Sequence, residues 1–432
     1  MANRAMKDSG VEWIGQIPRH WSETKLKRVV FDIDSGGTPT SSNSKFYNDK
    51  GTPFVNISDM TKGEFIHDTQ KHLTENGILN KRLNIHPEGT ILYSMYASLG
   101  KVAELKTSAA ISQAILAFKA DSEIIKKEFL KFILKMYEVH ISMYSNGTTQ
   151  SNLNKEIIEN FKILLPELGE QQKIAAFLDE KVSHIDNIIE DTKKSIENLK
   201  AYKQSLITET CTKGLNPDVE MKDSGIDWIG KIPKHWISSR IKYVTNISRG
   251  QFSHRPRSDE RYYDGQYPFI QTGDVARAKK YITTYSQTLN ELGKSVSKEF
   301  PKGTLVMNIA ANVGDVAILD FDSYFPDSVV GFVPKEKYHW NYLYYTFTGM
   351  KSMFVRTAIS NTQLNLNVDR IKDMHVPVTT DYNEQLKISE FLDKKVSNID
   401  SLLEKKGEVV KELESYKKAL IYEYVTGKKE VK

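Results

Sequence analysis

The feature that most constrains this chain is that it states one plan twice, about 214 residues apart. Residues 6–21 read MKDSGVEWIGQIPRHW and residues 221–236 read MKDSGIDWIGKIPKHW, identical at 12 of 16 positions and conservative at the rest. Residues 170–207 return as 384–421, keeping the pairs Glu170-Gln171 and Glu384-Gln385, Phe-Leu-Asp at 177–179 and 391–393, and Tyr-Lys at 202–203 and 416–417. A long fixed period means one structural unit used more than once. Between the echoes the copies diverge, so the chain reads as a constant frame that presents two different recognition surfaces.

At 432 residues the chain is long enough for two or more domains, each near 200 residues and able to bury a core. A net charge of +5 and a pI near 8.7 permit a nucleic-acid partner without demanding one. A single cysteine, Cys211, excludes an intramolecular disulfide framework and a multi-cysteine zinc site, and fits a reducing cytosol. No run of 18 apolar residues occurs, and the polar start MANRAMKDSG lacks the apolar region of a signal peptide. The expectation is a cytoplasmic chain with no membrane partner.

Four blocks follow along the chain. Residues 1–168 mix Gly, Pro, Thr, Asn and aromatics with short apolar runs such as Thr90 to Tyr93, the pattern of strands and turns, with helix near 122–144. Residues 169–214 change texture: Leu178, Val182, Ile185, Ile189, Thr192, Ile196, Leu199, Lys203 and Leu206 alternate four and three apart, a coiled-coil seam, until Lys213-Gly214-Leu215-Asn216-Pro217 stops it. Residues 215–383 are a second mixed block. Residues 384–432 repeat the seam as Leu392, Val396, Ile399, Leu403, Lys406, Val410, Leu413, Lys417 and Leu420. If the seams pair within one chain, connectivity makes them antiparallel, a rod on the order of 60 Å at roughly 1.5 Å per residue with one globular block at each end; pairing between chains is the other option. Thr192 with Lys406, and Lys203 with Lys417, set polar groups at matching heights, either to fix register or to reach solvent along their stems.

The globular blocks also match. Gly89 to Met95 and Gly100 to Ala103 align with Gly303 to Ile309 and Gly314 to Ala317, and Thr149 to Asn154 meets Thr362 to Asn367. Where they part, the difference is chemical: DSGGTPT at 34–40 stands where the second copy has SRGQFSHRPR at 248–257. Amides, hydroxyls and arginines on loops are groups that read base edges and hold phosphates, although Gly, Ser, Thr and Asn also simply make turns.

The tandem MKDSG-WIG-IP-HW segments, the Gly-Thr strand motifs, the TQ-LN loops and the twin EQ-FLD helices together resemble the specificity subunit of type I restriction-modification systems, over essentially the whole chain. The resemblance implies an α+β chain with two similar globular target-recognition domains, residues 1–168 and 215–383, joined by two long antiparallel coiled-coil helices in a pseudo-twofold tandem repeat. It implies a double-stranded DNA partner whose bipartite target is read one half per domain, helices that set the gap, and assembly with two modification (methyltransferase) subunits and with restriction (translocase/nuclease) subunits. S-adenosylmethionine, ATP and Mg2+ are expected on those partners and no cofactor on this chain. A scaffold without DNA affinity, or an inhibitor that sequesters methyltransferase subunits, would share the same repeats.

Candidate DNA contacts lie on loops around 35–40, 56–60 and 146–152 in the first block: Ser35, Gly36, Gly37, Thr38, Thr40, Asn56, Ser58, Asn146, Thr148 and Gln150. In the second block they lie around 249–257, 271–277 and 361–363: Arg249, Gln251, His254, Arg255, Arg257, Gln271, Thr272, Arg277, Asn361 and Gln363, with Arg255, Arg257 and Gln271 foremost for their paired donors. Catalytic signatures are wanting. Asn216-Pro217-Asp218-Val219 lacks the second proline and the aromatic of an amine methyltransferase segment, Gly100-Lys101 has Met95 where a phosphate loop needs glycine, and Pro217-Asp218 abuts Glu220-Met221-Lys222 with no strand between. His20 and His235, each beside a repeated Trp, read as packing or partner-contact residues rather than metal ligands. The chain is expected to be a non-catalytic subunit.

Overall fold

The computed structural model describes residues 4–141, 153–254, 257–360 and 364–431. The chain forms two compact units, Met1–Thr192 with Glu408–Lys432 and Lys193–Gly407.

In the first unit, β1 (Ser22–Lys25) is followed by β2 (Val30–Ser35), β3 (Phe65–Ile66), β4 (Ile91–Ser94), β5 (Val102–Leu105), β6 (Ile115–Ala120), helix α1 (Lys127–His140), β7 (Lys162–Leu165) and the long helix α2 (Leu168–Lys213). Strands β2 to β6 make one sheet in the order β2-β6-β4-β5-β3, antiparallel except for the parallel edge pair β3–β5. Every residue of β4 is buried, because both faces of the sheet are covered. Leu92 faces a cluster with Val55, Met60, Ile111 and Ala117. Tyr93 faces the other way, toward Phe118 and Phe161, and Phe161 stacks on Tyr137 of α1 with centroids 4.2 Å apart.

The second unit repeats this plan with β8 (Ile237–Arg240), β9 (Thr245–Arg249), β10 (Tyr281–Ile282), β11 (Leu305–Asn308), β12 (Val316–Leu319), β13 (Val329–Pro334), α3 (Trp340–Gly349), β14 (His375–Val378) and the long helix α4 (Tyr382–Val425). Its sheet order, β9-β13-β11-β12-β10, is that of the first unit strand for strand. Side chains alternate as the pleat requires: Leu305 and Met307 join the cluster around Trp236, Tyr342 and Phe347, whereas Val306 points into the one around Ile270 and Phe325. The two blocks are one α+β fold used twice, as expected from the Gly-Thr strand motifs.

The repeated motifs turn out to be clamps that close each block on itself. Strand β1 pairs antiparallel with β7, and β8 with β14, so each block leaves its frame beside the point where it began. The buried Trp21 indole donates to Glu170 Oε2 at 3.1 Å, and Trp236 donates to Glu384 Oε2 at 3.0 Å. His20 and His235, each half exposed, lie 3.0 Å from the same two carboxylates. The neighbouring amide does the rest: Gln171 accepts from Lys126 N–H at 2.8 Å and donates to Pro166 O at 2.9 Å, while Gln385 accepts from His339 N–H at 2.7 Å and donates to Thr379 O at 2.9 Å. Each Glu-Gln pair thus ties the first turn of a long helix to the block that precedes it.

In each unit a stretch of α2 runs antiparallel to a stretch of α4. In the first, Phe177 packs against Tyr424 with ring centroids 4.6 Å apart and Asp186 meets Lys417, so one number rises as the other falls. In the second, Lys203 meets Asp400, and Ile207 and Cys211 lie in the same cluster as Leu392 and Ile388. Leu178, Val182, Ile185 and Ile189 of the expected seam are buried, as are Leu392, Ile399, Val410 and Leu420. Of the seam lysines, Lys203 and Lys417 each end on an aspartate of the facing helix. Gly214, left-handed at φ +75°, ends α2 where the sequence placed its stop. No helix among the described residues is long and apolar enough to cross a membrane.

Candidate nucleic-acid interface

The expected contact loops of the first unit gather on one short segment, residues 111–115. Ser35 ends β2 exposed, and the chain through Gly36, Gly37, Thr38 and the exposed Thr40 lies against that segment. Gly36 N–H donates to Ile115 O at 3.4 Å, Gly37 N–H to Ile111 O at 3.2 Å, and Gln113 N–H to Thr38 Oγ1 at 3.5 Å. Asn56 starts the short helix Ile57–Met60, its N–H donating to the buried Asp59 carboxylate at 3.0 Å. Ser58 is exposed on that turn, its hydroxyl 3.5 Å from Gln70. The segment ties these loops together: Ser112 N–H donates to Val55 O at 3.0 Å, Met95 N–H to Ala114 O at 2.8 Å, and Leu153 N–H to Met95 O at 3.2 Å. Asn146, Thr148 and Gln150 lie outside the described residues.

The second unit gathers its loops on residues 325–329. Gly250 N–H donates to Val329 O at 2.9 Å, Gln251 N–H to Phe325 O at 3.0 Å, Ile309 N–H to Ser328 O at 3.0 Å, and Leu366 N–H to Ile309 O at 2.8 Å. The Asn308 amide donates to Thr272 O at 2.9 Å, which brings in the 271–277 turn. Loops far apart in sequence therefore converge in the same way in both units.

The chemistry on this shared scaffold differs between copies. Arg249 and Arg257 both engage Asp327: Arg249 Nε–H donates to its carbonyl at 2.6 Å and the Arg257 guanidinium binds its carboxylate. Arg277, two-thirds exposed, pairs with the buried Asp274. Gln271 is committed within the fold, its N–H to Asp274 at 2.8 Å and its side-chain amide to Gln287 at 2.9 Å. His254 stacks on Tyr262 with centroids 4.0 Å apart and contacts Asp259 at 2.9 Å, a carboxylate that hydrogen bonds from Arg261 and His254 hold well below the usual range. Gln251 is exposed. Arg255, Asn361 and Gln363 lie outside the described residues. The exposed side chains on these loops are thus hydroxyls in the first unit, and guanidinium and amide groups in the second, all donors suited to nucleic-acid edges and phosphates.

Sequence reasoning missed two features of this surface. The loops that follow β4 and β11 expose Tyr96, Ala97 and Ser98 in one copy and Ala311 and Asn312 in the other, and both alanines are left-handed, at φ 44° and 48°. A left-handed alanine is strained and persists only where its surroundings over-determine it; no residue type announces it. Gln113 and Asp327, at the centre of the two convergences, were also passed over, and their 214-residue equivalence was the one available signal.

The family described as the type I restriction modification DNA specificity domain matches residues 18–198 and again 233–412. The chain is 26% identical over 284 residues to the type I restriction enzyme MjaIX specificity subunit of Methanocaldococcus jannaschii, covering 65% of this chain and 63% of that one. It is 24% identical over 372 residues to the MjaVIII specificity subunit of the same organism, covering 82% of each. A solved structure described as the basis of complex assembly and conformational transition of the type I R-M system shares the fold, with a TM-score of 0.73 at 17% identity over 95% of this chain and 99% of that one.

Proposed function

This chain belongs to the type I restriction modification DNA specificity domain family, and from that membership we propose that it is the non-catalytic specificity subunit of a type I restriction-modification complex, reading one half of a bipartite duplex DNA target with each unit. The observation that carries the reading is the pair of loop convergences: one backbone scaffold, two unlike sets of exposed donors. A reader of a split target needs that combination, because position must be held constant while the letters read are free to differ.

Two modification subunits fit the duplication equally well. Tyr202 and Leu402 are exposed on the helices of the second unit, and their equivalents Tyr416 and Ile188 are exposed in the first, so apolar residues suited to a protein partner occur twice. Restriction subunits complete the assembly, with S-adenosylmethionine, ATP and Mg2+ residing on the partners in the cytoplasm. Helices α2 and α4 set the gap between half-sites: seven residues added to each would preserve the seam phase and lengthen it by roughly 10 Å, and the methylated motif should keep its letters while its gap grows or methylation is lost.

Methylation mapping of cells with and without this gene tests the function directly. A two-part motif with an unread gap that disappears with the gene is expected. A chain that binds a methyltransferase subunit yet confers no sequence preference, in the cell or in a gel shift, would overturn the reading.

A further inference from the structure

In the second unit the backbone at 325–326 passes so close to Gly250 that a Cβ there would lie 2.3 Å from Pro326 O and 2.4 Å from the Phe325 ring. Phe325 is fully buried and stacked on Phe300, centroids 3.8 Å apart, so the crossing is rigid. It leaves Asp327 about one-third exposed, holding Arg257 through its carboxylate and Arg249 through its carbonyl. The first unit has the same crossing, where a Cβ on Gly36 would lie 1.9 Å from Ile111 O. There the position equivalent to Asp327 is Gln113, and residues 35–40 include no arginine. Acid and arginines occur together in one copy and are missing together from the other, although the two share one fold.

The fold alone does not require this pair, since the first unit builds the crossing without it. An arginine whose charge is offset by a carboxylate gains little from a phosphate, because phosphate binding follows net charge and counterion release. It keeps its remaining N–H donors, and a guanidinium edge of fixed orientation matches O6 and N7 of guanine in the major groove. We propose that Asp327 is a positioning residue that makes Arg257 a reader of a guanine edge rather than a phosphate clamp, in the half-site served by the second unit. The proposal rests on the DNA-reading function above.

The test uses the complete chain in complex with its modification subunit. Three kinds of duplex are compared between about 50 and 200 mM salt: the motif from methylation mapping, the same duplex with each G·C pair of the relevant half-site replaced in turn, and an unrelated sequence. Asp327→Asn should bind the unrelated duplex about tenfold more tightly, steepen the log–log salt slope by about one to two, and lose about tenfold discrimination at a G·C position. Arg257→Ala should lose discrimination at the same position with the salt slope near that of the wild type, and should remove part of the gain when combined with Asp327→Asn. Asp327→Glu should restore much of the wild-type behaviour. Wild-type slope and discrimination in Asp327→Asn would overturn the positioning role while leaving DNA reading intact; a wild-type complex that distinguishes no sequence overturns both. Should Asp327→Asn lower the melting temperature, Arg257→Ala decides, since a merely structural pair leaves discrimination at every base pair unchanged.

Discussion

Lys203 of α2 places its ammonium 2.6 Å from Asp400 of α4, and the echo of this pair has its signs exchanged between helices: Lys417 of α4 lies 2.6 Å from Asp186 of α2. Each helix thus supplies one lysine and one aspartate, and each pair sits within its own unit. Three of the four side chains are about a quarter exposed and Asp186 is 40% exposed, so each bridge contributes about 0.5–1 kcal/mol. Lys203→Met or Asp400→Asn should lower the melting temperature by a few degrees, and the exchange Lys203→Asp with Asp400→Lys should recover most of the loss in a double-mutant cycle.

Glu104, almost fully buried on β5, answers Lys131 at 2.8 Å and Lys127 and Lys106 at 2.9 Å. Burial raises its pKa, but the hydrogen bonds from the three lysines outweigh it and hold the carboxyl at about 2. Its folded value lies below the unfolded one, so its stabilisation is fully present above about pH 4.5 and is lost as the pH falls toward 2. Glu104→Gln leaves the buried Lys131 without its counter-charge and should cost about 3 kcal/mol at neutral pH. The second copy carries Ile318 here, and Glu104→Ile with Lys131→Leu should be better tolerated than the single change; chemical denaturation measures both.

At the first clamp, burial works to raise the Glu170 pKa but is outweighed by hydrogen bonds from His20, Arg4 and Trp21, which leave it below its ordinary value. The sign is that of Glu104: stability from this group is present above the unfolded carboxylate range and fades as pH falls through the folded value. Glu170→Gln should therefore flatten the acid limb of the stability curve, and Trp21→Phe, which keeps the ring but removes the N–H, should cost about 1 kcal/mol. Thermal melts across pH 3–7 distinguish the two variants.

Gly36 and Gly250 are required by space, since a Cβ at either would overlap a carbonyl oxygen of the crossing segment. Gly36→Ala and Gly250→Ala should each displace one contact loop and weaken recognition of a single half-site, leaving the other half of the motif as sharp as in the wild type. Methylation mapping of the two variants reads this out, and loss of both halves from one substitution would contradict independent readers.

The frame was legible because it repeats: MKDSG-WIG-IP-HW, Glu-Gln and the seam each recur with nearly one shift, and the two long helices began within two residues of expectation. The interface was legible only as loops. Arg257 and Arg277 stand exposed as a reader of sequence would want, but Asp327 answers Arg257 through strand pairing that joins distant segments, while Asp274 answers Arg277 from one turn earlier on the same helix. Gln271 has the right chemistry for a base edge and spends its amide on Gln287, brought near by a turn 16 residues on. Local chemistry names the groups, and topology decides which remain free.

The antiparallel closures β1–β7 and β8–β14 have a consequence for heredity. Each variable block begins and ends at neighbouring strands of a frame that both copies share, so a crossover between related genes within the frame codons delivers a block whose ends already fit. Residues 26–161 or 241–374 can then pass between lineages as cassettes. On the proposed function, such an exchange would supply a new half-site in one recombination event, without a series of point mutants that each read DNA poorly.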